Sequence, residues 1–139
     1  MPQSNELSPA MRSLMDHAST AAGKAYAPYS NFRVGAALQL ESGEIVTGAN
    51  VENVSYGLTI CAERSALVRA VAQFGPSIRI AAVAVANLNG VPCTPCGACR
   101  QMLAEFASAD APVAFVAASG VCVLPFSQVL PLAFDMRSK

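Results

Sequence analysis

The sequence has few charged residues, and the two signs are balanced. Charged side chains make up 13% of the 139 residues, against roughly 25% in a typical soluble protein. Nine basic and nine acidic residues cancel, so the composition does not predict binding to nucleic acid or to an anionic membrane. A small chain that is 53% apolar has too few polar groups to cover its surface, so we expect much of that surface to be buried between identical subunits.

Long apolar runs are also lacking, and we expect no secretory leader. The longest apolar run, residues 80–86, is far shorter than the ~20 residues that a membrane-spanning helix needs. The first residues contain neither a basic region nor an apolar core of the kind found in signal peptides. The five cysteines are odd in number, and three of them have metal-ligand spacing. We therefore expect a cytoplasmic protein whose thiols stay reduced.

The order of the predicted elements indicates one α/β domain over residues 1–139, with residues 1–7 as a flexible tail. Ser8-Pro9 and the apolar periodicity that follows predict an amphipathic helix up to Ala25. It contains the only histidine of the sequence, His17, which we interpret as a surface or interface residue. The remaining patterns predict helices over 61–74 and 96–107, strands over 32–40, 45–48, 78–86, 113–118 and 121–124, and a helical turn over 127–130. This order predicts helices on both faces of a mixed sheet of about five strands.

Two motifs predict a catalytic metal site. The first, TICAER (59–64), places Cys61 two residues before Glu63, and the second, PCGACRQ (95–101), contains Cys96 and Cys99. Both motifs begin predicted helices, whose positive N-terminal ends favour thiolates. A structural zinc site has four protein ligands, whereas three thiolates leave a fourth position for water. Glu63 is suitably placed to act on the water at that position.

The negative charge of a three-thiolate zinc site predicts a hydrogen-bond donor next to a coordinating sulfur. Three thiolates around a divalent zinc ion leave a net charge of about minus one, which weakens the pull of the metal on a bound water. Arg64 and Gln101 follow the two motifs, and either could donate a hydrogen bond to a coordinating sulfur and withdraw charge from it. The alternative for Arg64 is a solvated arginine on a helix surface.

A polar cluster at residues 50–53 follows the second predicted strand. Loops at the ends of strands often bind ligands, but Asn and acidic side chains also favour turns. On local sequence alone, a capped turn is the favoured interpretation of this cluster.

Together, these motifs resemble the signature of zinc deaminases, His-x-Glu followed by Pro-Cys-x-x-Cys, in a version that uses only cysteine ligands. The chain is similar to the small, homotetrameric cytidine deaminases over residues 28–134. Four blocks carry the resemblance: PYSNFRVGAA (28–37), GANVEN (48–53), SYGLTICAER (55–64) and PCGACRQMLAEF (95–106). The resemblance implies a three-layer α/β/α domain that hydrolyses cytidine and 2′-deoxycytidine to uridine and 2′-deoxyuridine, with release of ammonia, in pyrimidine salvage.

The resemblance also implies a role for each matching residue. Cys61, Cys96 and Cys99 match the ligands of one zinc ion per subunit. Glu63 matches the group that moves protons from water to N3 of cytosine and to the leaving amine. The residues that match substrate contacts are Asn50 and Glu52 at the ribose 3′-hydroxyl, Phe32 against the pyrimidine, Ala62, Tyr56 and Phe134. Tyr56 and Phe134 match subunit contacts, which implies active sites shared within a tetramer. The resemblance thus replaces the turn interpretation of residues 50–53.

Cys93 departs from the family pattern, because it adds a third cysteine at the same spacing before Cys96. A fourth thiolate on the metal would close the site. Pro92 and Pro95 flank Cys93 in a predicted loop, and the resemblance selects the other three cysteines. We therefore expect Cys93→Ser to retain both zinc and activity. Cys122, in a short apolar strand, is predicted to be a small buried hydrophobic residue.

Two alternatives remain open at this point. A related zinc deaminase with another aminopyrimidine or aminonucleoside substrate would share the metal chemistry. A non-catalytic, zinc-stabilised module would share the thiols but would give no role to Glu63, Asn50 and Glu52. The neutral charge argues against polynucleotide substrates.

Overall fold

The structure, a computed structural model, describes residues 7–95 and 97–132. The predicted tail, residues 1–7, lies almost entirely outside the described residues. The helices are α1 (Pro9–Ala22), α2 (Ala62–Phe74), α3 (Gly97–Ala104) and α4 (Phe126–Val129), and the strands are β1 (Val34–Leu40), β2 (Ile45–Ala49), β3 (Ile80–Asn87), β4 (Pro112–Ala117) and β5 (Gly120–Pro125). A short 3-10 helix over Tyr56–Leu58, which the sequence patterns do not predict, precedes α2.

The five strands form one mixed sheet in the order β2-β1-β3-β4-β5. Strand β1 is antiparallel to both of its neighbours. The short turn after β1 makes β2 antiparallel to it, and α2 carries the chain back across the sheet so that β3 runs in the same direction as β2. Strands β3 and β4 are parallel, since α3 carries the chain back across the sheet between them, and β5 returns antiparallel to β4. The predicted mixed α/β sheet of about five strands is confirmed.

Helices cover both faces of the sheet. Helix α1 packs on one face against a row of alanines, and the residues in contact are Met11, Leu14, Met15 and Ala18 with Ala37, Ala82, Ala84 and Ala114. Helices α2, α3 and α4 pack on the other face, over the larger side chains Leu38, Val83, Val85, Val113 and Phe115. Side chains of β1 alternate between the two faces, as the pleat of a strand requires. Within the part of the chain that the structure describes, no helix is both long and apolar enough to cross a membrane.

Helix α1 begins as predicted and ends earlier than its apolar pattern suggests. The Ser8 hydroxyl accepts a hydrogen bond from the Met11 N–H at 3.2 Å, and the helix ends at Ala22. The chain then turns, and the Tyr26 N–H donates to the Asn50 carbonyl at 3.0 Å. This long-range pairing takes the chain out of the helix and brings it alongside the segment that follows β2.

Helix α3 is also shorter than predicted, because it ends at Ala104. The carbonyl of Phe106 accepts a hydrogen bond from the Ile80 N–H at 2.9 Å, at the start of β3. Residues after Ala104 therefore pair with the sheet. Helical periodicity is a local pattern and cannot predict this long-range pairing.

Gly48 allows α2 to lie against β2, and a side chain there is expected to displace the helix. A Cβ atom at Gly48 would lie 2.4 Å from the Ala66 N and 2.8 Å from the Ala62 O, both backbone atoms that cannot rotate away. We expect Gly48→Ala to lower the free energy of unfolding by about 1–3 kcal/mol, measured by denaturant titration. Gly57→Ala is the matched control, since a Cβ there meets nothing within 4 Å. Equal stability of the two variants would contradict this account.

Candidate active site

A cavity of about 270 Å³ opens at the N-terminal end of α2, near the lower limit of the ~300–1,000 Å³ usual for small-molecule sites. Its walls come from four separate parts of the chain: the segment before β1, the segment after β2, the start of α2 and the loop before α3. The lining residues are Ser30, Phe32, Val34, Asn50, Glu52, Tyr56, Thr59, Cys61, Ala62, Glu63, Cys93 and Thr94. The cavity thus brings together seven residues that the sequence predicted for the site.

The start of α2 supplies a thiol and an acid to the cavity. Cys61 is the N-cap residue, with the extended backbone (φ −70°, ψ 156°) usual at that position. Glu63 lies in the first turn and is buried, with 4% of its surface exposed. The positive end of the helix dipole therefore points at a thiol and a carboxylate, and it stabilises the anionic form of such groups.

Arg64 lies beside the sulfur of Cys61. Its Nη2 atom is 3.6 Å from the Cys61 Sγ and donates a hydrogen bond to the Thr59 carbonyl at 3.1 Å. The carbonyl contact holds the guanidinium in place, and the sulfur contact places positive charge where a thiolate would carry negative charge. Gln101, the other predicted partner of a sulfur, lies half-buried on α3 and does not line the cavity.

The other cysteines occupy three different environments. Cys99 is fully buried in the first turn of α3, and Cys122 is fully buried in β5, as predicted for a small core residue. Cys93 is half-buried on the cavity wall, and its N–H donates to the Val116 carbonyl at 2.8 Å. Cys96 lies outside the described residues. Over residues 7–95 and 97–132, no three metal-binding side chains come together, and Cys96 is the third member of the predicted set.

The donor chemistry of this region fits a zinc ion held by thiolates. Thiolates are soft ligands that favour zinc over magnesium or calcium. Cys61 is at a helix N-terminus with an arginine beside it, which is a setting that lowers the cost of a thiolate. The buried carboxylate of Glu63 lies on the same cavity wall, where it can act on a ligand of the metal.

Asn50 uses its amide to hold backbone at the cavity wall. Its Nδ2 donates to the Phe32 carbonyl at 2.9 Å, and its Oδ1 accepts from the Val34 N–H at 2.9 Å. The side chain is buried, and these two bonds use one of its two N–H donors and one acceptor site of its oxygen. One N–H of the amide is left over for a ligand in the cavity.

Glu52 is held as an ionised acceptor. Its Oε1 accepts hydrogen bonds from the backbone N–H groups of Tyr29 (3.0 Å) and Ser30 (3.1 Å), and its Oε2 accepts from the Ser30 hydroxyl. The Ser30 hydroxyl, followed by the two backbone donors, lowers the pKa of the Glu52 carboxyl, against the opposing effect of burial. At neutral pH this carboxylate therefore accepts hydrogen bonds and does not donate them.

Sequence reasoning missed several residues of this site. Ser30, Thr59 and Thr94 line the cavity, and none was predicted as a site residue. The signal for Ser30 was its place two residues before Phe32, where a serine hydroxyl can bond local backbone. Ser30 does so, because its Oγ accepts from the Phe32 N–H at 3.0 Å.

Two aromatic residues are expected at subunit contacts, Tyr56 and Phe134, and the structure describes only Tyr56. Tyr56 lines the mouth of the cavity and is 76% exposed. Phe134 lies outside the described residues. The mixed sheet, with a thiol and a buried acid at the start of α2, fits the class of α/β metallohydrolases.

Comparison with known proteins identifies the family within that class. The model of the family "Cytidine and deoxycytidylate deaminase zinc-binding region" matches residues 9–115. The chain is 46% identical to the cytidine deaminase of Halalkalibacterium halodurans, over 79% of this chain and 83% of that protein. Among solved structures, it is similar to cytidine deaminase from Mycobacterium tuberculosis (TM-score 0.80, 37% identity, covering 93% of this chain and 100% of that one). It is also similar to cytidine deaminase from Burkholderia pseudomallei (TM-score 0.79, 45% identity, 88% and 98%). The chain therefore belongs to the cytidine deaminase family.

Proposed function

We propose that this chain, as a single domain over residues 1–139, is a zinc-dependent hydrolase. It converts cytidine and 2′-deoxycytidine to uridine and 2′-deoxyuridine and releases ammonia. The observation that carries the proposal is one cavity lined by Cys61, the buried Glu63 and the ionised Glu52. A structural zinc module needs neither the buried Glu63 nor the ionised Glu52. The proteins named cytidine deaminase to which the chain is similar support the choice of substrate.

Cys61, Cys96 and Cys99 would hold one zinc ion per subunit. The ion, when bound, supplies Lewis-acid chemistry that makes water a nucleophile at neutral pH. Arg64, next to the Cys61 sulfur, offsets part of the negative charge of the thiolates.

Glu63 performs the proton transfers. Its carboxylate takes a proton from the attacking water and delivers a proton to N3 of the cytosine ring, as water oxygen bonds to C4. Glu63 then takes the proton of the new C4 hydroxyl and passes it to the exocyclic nitrogen, so that the C4–N4 bond breaks, ammonia leaves and C4 becomes a carbonyl. A carboxylate suits this work because it accepts and donates in turn, and burial keeps bulk water from competing for its protons.

The other cavity walls bind the nucleoside. Glu52 accepts a hydrogen bond from the ribose 3′-hydroxyl, which fits a carboxylate that stays ionised, and the spare N–H of Asn50 donates to the same hydroxyl. Phe32 packs against the pyrimidine, and Ala62 lines the cavity beside the ring. A carboxylate at the sugar favours a neutral nucleoside over a nucleotide, whose phosphate it would repel.

The active protein is a homo-oligomer, most simply a tetramer with shared active sites. Several large apolar side chains in or next to the chain segments that line the cavity are exposed in the single chain, namely Tyr26, Tyr29, Val51, Val54, Tyr56, Leu58 and Ile60. Exposed apolar side chains of this number favour a partner that covers them. Tyr56, at the mouth of its own chain's cavity, would lie at a subunit contact, and Phe134 would reach the site of a neighbouring subunit. Sedimentation as a monomer at micromolar concentration would contradict this assembly.

The setting that fits this chemistry is pyrimidine salvage in the cytoplasm. Thiolate ligands need a reducing compartment, and the substrates and products are small neutral nucleosides. The balanced net charge of the sequence does not favour a polynucleotide or an anionic membrane as a partner.

The decisive experiment mixes purified, metal-analysed protein with cytidine and follows the ultraviolet absorbance of the cytosine ring. We expect the cytidine band to disappear, with about one zinc per chain. If zinc is bound but cytidine is unchanged, the metal site is supported and the proposed substrate is wrong. Another aminopyrimidine or aminonucleoside would then be favoured as the substrate. Zinc in a four-thiolate site, without turnover of any such compound, would favour a structural module.

A further inference from the structure

The backbone around Phe32 is held mainly by side chains. Residues 31–33 precede β1, yet every backbone N–H and C=O from Asn31 to Val34 has a partner. The N–H groups of residues 31, 32, 33 and 34 donate, in that order, to Ala27 O (3.0 Å), Ser30 Oγ (3.0 Å), Asn89 Oδ1 (3.0 Å) and Asn50 Oδ1 (2.9 Å). The carbonyls of the same four residues accept, in the same order, from Asn89 Nδ2 (3.0 Å), Asn50 Nδ2 (2.9 Å), Leu88 N (3.0 Å) and Asn50 N (3.2 Å).

Two asparagine amides hold opposite edges of this segment. Asn50 bonds the carbonyl of Phe32 and the N–H of Val34, and Asn89 bonds the carbonyl of Asn31 and the N–H of Arg33. Successive peptide groups of an extended chain point to opposite edges of that chain, so the two amides bond the segment around Phe32 from its two opposite edges. Each amide therefore acts like one residue of a missing neighbouring strand.

Asn89 differs from Asn50 in its place in the fold. It is exposed in the loop after β3 and does not line the cavity. Its own N–H donates to the Asn87 Oδ1 at 2.9 Å, which orders the loop. The same loop continues to Cys93 and Thr94 on the cavity wall, so Asn89 ties one cavity wall to another.

The hydrogen bonds of Asn89 to this segment matter for the position of Phe32 because the backbone turns at Asn31. Asn31 has a φ of +60°, in the left-handed region that only glycine and, less readily, asparagine adopt without strain. The bond from Asn89 to the Asn31 carbonyl holds the peptide group that follows this φ angle. Without it, the turn can relax and the Phe32 ring, one residue further on, can leave its position on the cavity wall.

We propose that Asn89 is a positioning residue for substrate binding, which acts through Phe32 without touching the substrate. The inference rests on the proposed function, in which Phe32 packs against the pyrimidine. Glu63 lies on α2, a separate element, so loss of Asn89 weakens binding of the nucleoside and leaves the proton transfers intact.

The test compares steady-state kinetics of Asn89→Ala with those of the wild type. We expect the KM for cytidine to rise about three- to tenfold, the scale of one net neutral hydrogen bond, because both lost bonds are exposed to water, with kcat changed by less than about twofold. Asn89→Asp keeps the acceptor for Arg33 but places a carboxylate oxygen against the Asn31 carbonyl, so its KM rises at least as much. Leu88→Ala is the matched control, since it shortens an exposed side chain in the same loop and leaves every one of these bonds in place.

A double-mutant cycle separates positioning from general loss of structure. If Asn89 acts through Phe32, the Asn89→Ala change raises KM much less in a Phe32→Ala background than in the wild type. Equal effects in both backgrounds, an unchanged KM in Asn89→Ala, or a fall in kcat alone would overturn the inference. A wild-type protein that turns over no cytidine would overturn the proposed function itself, and with it this inference.

Discussion

Glu63→Gln is expected to lower kcat for cytidine by about 10³- to 10⁴-fold, the upper range for removal of a general acid–base group. Glutamine has nearly the same shape as glutamate but cannot take a proton from water and return it to the ring. The side chain is buried at the first turn of α2, so no neighbouring water can replace it freely. Zinc content and cytidine binding are expected to stay close to those of the wild type, because the thiols and the sugar contacts are untouched.

The measurement combines steady-state turnover, metal analysis and calorimetric titration with cytidine. Glu44→Gln is a suitable control, since it makes the same chemical change at an exposed position between β1 and β2. Near-normal turnover in Glu63→Gln would remove Glu63 from the proposed role. Loss of zinc together with loss of activity would instead point to a structural effect at the metal site.

Cys99→Ala is expected to lower the affinity of the protein for zinc by about tenfold or more, measured by competition with a chelator, and to lower its zinc content after dialysis. Removal of groups that merely support a metal ligand costs ~10–100-fold in affinity, and loss of a ligand itself costs at least as much. Cys99 is fully buried in the first turn of α3, so no water-exposed side chain can easily take its place. Activity is expected to fall in proportion to the zinc content.

Two other cysteines provide matched controls for this prediction. Cys122→Ala also removes a fully buried thiol, but from β5, and is expected to keep its zinc. Cys93→Ser removes a thiol from the cavity wall and is expected to keep both zinc and activity. Loss of zinc in Cys93→Ser would mean a four-thiolate site, which would favour the structural-module alternative.

The fold was largely predictable because local patterns govern it. Alternation and apolar periodicity predicted every strand of the mixed sheet, and they predicted each of the four helices to within a few residues. The errors lie at helix ends. Helix α1 ends where Tyr26 pairs with Asn50, and α3 ends where Phe106 pairs with Ile80, and both bonds join residues far apart in sequence.

The candidate site was predictable to different extents in its different parts. The spacing of Cys61 and Glu63 already places a thiol at a helix N-cap and an acid in the first turn, since both positions are defined by where the helix begins. Asn50 is a harder case, because local sequence favoured a turn there. In the structure its amide bonds the backbone of Phe32 and Val34, which no local pattern could reveal.

By itself, the sequence determined the kind of chemistry available to this protein: cysteines at metal-ligand spacing, an acid beside one of them, and alternating segments that form a sheet. Only the tertiary structure decided which distant segments meet around the cavity and how the Phe32 segment is held. The physical reason is that motifs and periodicity act over a few residues along one element. The hydrogen bonds of Ser30 with Glu52, and of Asn89 with Asn31 and Arg33, form only after the sheet has brought those segments together.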